Sequence, residues 1–233
     1  MYRIVLALLL ILAATSARAQ SWLDQPGVAG TTVIDIGAAH IHLPPGDWVK
    51  VAEDMQTYKA ERVTLAERVY VQTIDGKVSA VAYVSANSDA MKGMPNGGIM
   101  ANKDCFRDDV FMSSSLNVRA GQWDCMLVNH LFFRWASTPQ LWQQAKASVA
   151  EMGGLPDPAI YASFAEASPA RDGYAVLRVI FNPALAGFTS DDAASWAASE
   201  WQKDRLSPQR KAYMERIAAW AAAYRPVFEE SWK

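Results

Sequence analysis

Two runs of β-forming residues, 67–74 and 77–86, flank the dipeptide Asp75-Gly76. A two-residue turn that matches the twist of paired strands needs positive φ at both central positions, which Asp and Gly tolerate best. This is the strongest local constraint in the chain, and it commits the first half to a sheet built from hairpins.

Other segments follow the same reading. Residues 39–43 alternate, with Ile41 and Leu43 on one face and His40 and His42 on the other, until Pro44-Pro45-Gly46 ends the run. Residues 47–60 lack a clear period and are read as holding a short helix. Residues 87–103 carry Gly93, Pro95, Gly97 and Gly98 among polar side chains and read as a long loop. Runs 110–117 and 122–135 form a second strand pair, and 160–166 with 174–181 a third, around Arg171-Asp172-Gly173.

Helical spacing appears later. Thr138-Pro139 opens a helix whose stripe is Leu141, Ala145, Val149 and Met152, and Gly153-Gly154 closes it. Thr189 or Ser190 is expected to cap a helix running to about Leu206. Ser207-Pro208 starts another, with Tyr213, Ile217, Trp220 and Tyr224 in register, and Pro226 should end or kink it. Trp196 and Trp201, five apart, cannot both face one core surface of a single helix. The sum is an α+β protein: a mainly antiparallel sheet built from hairpins, with three helices packed on it, one mid-chain and two C-terminal.

The first residues have a different character. Arg3 precedes an apolar run, 4–14, and Ala17-Arg18-Ala19 follows as an A-x-A site. That order is what a cleavable secretion signal needs, and the run is too short for the roughly 20 residues that span a bilayer. Residues 1–19 are therefore expected to be removed after Ala19. Residues 20–233 remain as one globular domain in the periplasm or outside the cell, with no stable membrane insertion. Arg3 and Arg18 leave with the leader, taking the formal net charge from −2 to about −4. Such a surface offers no electrostatic footprint for nucleic acid. In an oxidising compartment Cys105 and Cys125 are expected to bond, closing a loop of about 20 residues worth roughly 3 kcal/mol.

Recognisable catalytic motifs are absent: no G-x-G-x-x-G, P-loop, H-E-x-x-H or G-x-S-x-G occurs. The metal-like pattern is His40-Ile41-His42. Residues two apart on a strand share a face, so both imidazoles could reach one ion, with His130 as a third ligand and Asp35 nearby, as zinc requires. Two polar residues on the solvent face of an edge strand are the plainer reading. Met91, Met94 and Met100 in the 87–103 loop offer soft thioether ligands of the kind Cu(I) takes, or simply adaptable apolar packing. Ser113-Ser114-Ser115 and the pairs Asp108-Asp109 and Asp191-Asp192 complete the candidates. Nine tryptophans mostly suit a core, although exposed ones can grip a sugar or a partner.

No cofactor is expected, with zinc or copper as the alternative. The reading is an exported soluble envelope protein, non-catalytic, that binds a small ligand or an envelope partner through its sheet face and the 87–103 loop. The alternative is a metal-binding protein or metal-dependent hydrolase using His40, His42 and His130.

Overall fold

A computed structural model of the chain describes residues 21–37, 39–58, 63–88, 103–115, 123–132, 140–168 and 173–231. The expected leader, the Met91, Met94 and Met100 loop and the Thr138-Pro139 cap all lie outside these residues.

The molecule is α+β around a seven-stranded sheet, antiparallel at every pairing, in the order β3-β4-β5-β9-β8-β7-β6. The strands are β3 (Val49–Tyr58), β4 (Val63–Ile74), β5 (Lys77–Asn87), β6 (Met112–Ser114), β7 (Trp123–Leu131), β8 (Ala159–Ser168) and β9 (Gly173–Phe181). A separate hairpin pairs β1 (Val33–Ile36) with β2 (Ala39–His42). Two meanders thus meet at the β5–β9 pair in the middle of the sheet. The Asp75-Gly76 turn has φ of 51° and 73°, as the β4–β5 hairpin requires.

Helix α1 (Gln140–Glu151) lies on one face, over β3 and β4, and buries Leu141, Ala145 and Val149. Gly153 and Gly154, both at positive φ, end it, and the Gly154 amide donates to the Val149 carbonyl. Helix α2 (Pro208–Ser231) covers the opposite face with the β1–β2 hairpin and a 3-10 turn, Ser21–Asp24. Its stripe of Tyr213, Ile217, Trp220, Tyr224 and Phe228 is buried. Trp220 meets Trp22, Phe181 and Tyr224 at 5.2, 5.3 and 4.9 Å between ring centroids. The hairpin sits close because Gly37 (φ 58°) faces the Asn87 carbonyl, where a Cβ would stand 1.9 Å from the oxygen.

Two expectations are corrected. There are two α-helices among the described residues, not three. The stretch from Ser190 to Leu206 is irregular, with one 3-10 turn at Trp196–Ala198. The Asp191 carboxylate accepts from the Ala193 and Glu200 amides and the Ser199 hydroxyl, and such local bonds offer the backbone an alternative to a helical ladder. That path also sends Trp196 and Trp201 to different places. Residues 47–60 hold β3, not a helix. It is an edge strand whose alternation is broken by a register shift between Lys50 and Ala52, and its charged side chains suit an edge. Of the two outcomes expected at Pro226, it does not end α2: the helix continues to Ser231 because Tyr224 and Phe228 stay docked on either side of it.

Cys105 and Cys125 are joined, with Cα atoms 6.0 Å apart. The bridge ties the short 3-10 turn Lys103–Phe106 to the first half of β7. Protein prepared without reductant is expected to show no titratable thiol even when denatured, until reductant is added. Two thiols in the unreduced denatured chain would contradict the bond.

Candidate functional site

His40, His42 and His130 occupy different surroundings. His40 is exposed on the β1–β2 hairpin, its Nδ1 2.7 Å from Asp35 Oδ1, an exposed acid. His42 is half-buried, with Nδ1 3.2 Å from the Gly30 carbonyl oxygen. His130, on β7, is 1% exposed. Its ring stacks on Trp196 at 4.9 Å with the planes 2° apart, and neither ring nitrogen has a hydrogen-bond partner. Among the described residues, no three His, Cys, Asp or Glu side chains gather as a metal ion would need.

Four of the other candidates, Ser114, Ser115, Asp109 and Asp191, have local partners. Ser114 and Ser115 hydroxyls meet Arg225 and the Asp124 carbonyl. Asp109 holds Arg107 through both carboxylate oxygens, and Arg107 lies 4.5 Å from the Trp196 ring. Burial would raise the Asp191 pKa, but its bonds from Ser199, Glu200 and Ala193 outweigh that and hold it below the usual carboxylate value.

A polar cluster that sequence reasoning missed lies on the α1 face of the sheet. Directly opposed residues share a face. The register therefore places Tyr83 (β5), Arg178 (β9) and Ser163 (β8) in one row, and Glu67 (β4) with Ser85 (β5) in the next. The Tyr83 hydroxyl donates to Glu67 Oε1 at 2.5 Å, and the Tyr83 ring stacks on Trp142 of α1 at 5.4 Å. Arg178 lies 4.9 Å from the Tyr161 ring. Burial raises the Glu67 pKa, with the Asp54 charge adding to it against the Tyr83 hydrogen bond. Burial and the Glu67 charge push the Tyr83 pKa well up.

The cluster is unusual in what it leaves unmet. Arg68, Arg107, Arg210, Arg216 and Arg225 each pair with a carboxylate, and Arg205 donates to the Ala198 carbonyl. Arg178, half-buried, has neither: its Nε is enclosed and without a hydrogen-bond partner. Ser163 Oγ, on a residue 2% exposed, is also without a partner, while the buried Ser85 hydroxyl lies against Tyr83. The signal in the sequence was a single charge inside the strand Gly173–Phe181, where every other residue except Tyr174 is buried. No protein-family model, curated protein or solved structure matches the chain, and the functional reading rests on this geometry.

Proposed function

We propose that the protein is an exported, soluble, non-catalytic binding protein of the periplasm or cell exterior, which holds a small ligand on the α1 side of its sheet around Arg178. The carrying observation is a half-buried guanidinium without an acid, beside the buried Ser163 hydroxyl without a partner. An enclosed polar atom left unmet costs about 1–3 kcal/mol, and native proteins rarely retain such atoms side by side without a use. A bound polar group would satisfy both, while Tyr161, Tyr83 and Trp142 supply the aromatic surface that ligand sites favour. The Cys105–Cys125 bond is compatible with the compartment. Among the described residues, no helix is long and apolar enough to cross a membrane.

Native mass spectrometry of protein isolated from envelope extract tests the reading. The expected spectrum shows added mass that is released on denaturation, and Arg178→Met protein carries none of it. A bare polypeptide mass in all preparations, with no stabilisation of the protein by dialysed small-molecule extract, would remove the proposal.

A further inference from the structure

We infer that the ligand presents a carboxylate to Arg178, with a flat or apolar body behind it. The inference rests on the binding reading above and names its chemistry.

Charge comes first. One guanidinium faces the cluster with no carboxylate of the described chain within ion-pair distance, whereas the other described arginines have an acid or a carbonyl. A single positive charge on a half-buried site calls for a single negative one, since an unbalanced buried charge of either sign is costly. Geometry comes second. Ser163 of β8 opposes Arg178 directly. Arg178 and Ser163 thus offer guanidinium N–H groups and a hydroxyl, all able to donate to oxygen, and a carboxylate accepts at two oxygens with about four lone-pair sites.

The surroundings favour carboxylate over phosphate. A phosphate monoester brings a charge near −2 at neutral pH, and only one cation of the row answers it. Glu67 and Asp54, opposed to each other across β3 and β4, lie on the same face and would repel the excess. Behind the donors stand rings rather than further charges: Tyr161 under Arg178, and the stacked Tyr83–Trp142 pair. A planar acid fits this better than a hydrophilic anion, because aromatic faces gain from offset stacking with another flat group.

Benzoate, benzamide and inorganic phosphate are the probes, each titrated into the full-length mature protein and followed by calorimetry and by the melting temperature. Benzoate is expected to bind saturably, benzamide at least about tenfold more weakly, and phosphate not at all, the tenfold being what one lost charge-assisted hydrogen bond is worth. Arg178→Met should weaken benzoate by about tenfold or more. Ser163→Ala removes one donor without altering charge, and should weaken it severalfold while the fold melts as in the parent. Equal binding of benzoate and benzamide, or benzoate binding unchanged in both variants, overturns the carboxylate assignment. Arg178-dependent binding of phosphate in place of benzoate overturns it too, yet leaves the ligand site standing. If no probe binds while native spectra still show an Arg178-dependent added mass, the chemical class is wrong and the site is right. If neither probes nor retained mass is seen, both fall.

Discussion

Stability is expected to fall by about 3 kcal/mol as the pH drops from neutral to 4 through His130 alone. Burial presses the His130 pKa from 6.5 down to about 4, against smaller opposing effects from the Trp196 backbone and Asp191. The unfolded imidazole takes up a proton below about pH 6.5, while the folded one stays neutral until about pH 4. The unfolded state therefore gains across that window, and the contribution is whole above pH 6.5 and lost towards pH 4. His130→Phe keeps a flat ring against Trp196 and removes the titration. Urea midpoints at pH 7 and pH 4 should differ less in this variant, by the equivalent of about 3 kcal/mol. At pH 7 it should be close to neutral or slightly stabilised, since it also removes two ring nitrogens that have no partners. Parallel pH curves for the two proteins would show that His130 is not the acid-sensitive group.

Arg225→Met is expected to cost about 3–5 kcal/mol, the loss that follows when one member of an enclosed ion pair is removed. Arg225 of α2 reaches across to β7, where its Nη2 is 2.7 Å from Asp124 Oδ1, both side chains being only 13% and 14% exposed. It also donates to Glu229 at 2.8 Å and to Ser114 Oγ at 3.3 Å. Methionine fills similar space but leaves Asp124 without its cation and directly opposed to Glu166 on β8. The double variant Arg225→Met with Asp124→Leu should recover most of the loss, because the cost lies in an enclosed carboxylate that has lost its Arg225 cation rather than in the missing attraction. Chemical denaturation of the three variants checks this. A single variant within about 1 kcal/mol of the parent, or a double variant no better than the single, would show that the pair contributes little to holding α2 on the sheet.

What could be seen in the chain beforehand was whatever a short window encodes. Asp75-Gly76 dictated its hairpin through backbone conformation, and Gly153-Gly154 ended α1 in the same local way. The α2 stripe repeats at helical spacing and is buried as expected. The failures have equally specific causes. The shift between Lys50 and Ala52 disguised β3 by breaking its alternation. Asp191 holds three donors of its neighbourhood, and that local network replaced a helix between Ser190 and Leu206. The polar cluster was hidden for a different reason. Glu67, Tyr83, Ser163 and Arg178 come from four strands and are neighbours only through register, which no spacing in the sequence records. The one available clue, a lone arginine inside an apolar strand, was legible but points to a place rather than to a partner.

The joining of the two meanders at β5 and β9 has a consequence for how the chain acquires its shape. Ala80 through Ala86 pair with residues from Ala175 to Phe181, so the middle of the sheet brings together segments made at widely separated times. A polypeptide emerging from its amino end can close the early hairpin alone, but β5 keeps an unmatched border until nearly four-fifths of the sequence is out. Such non-local closure is slow, and any shortened product ending before Phe181 is left with an open border and no α2 to cover the sheet.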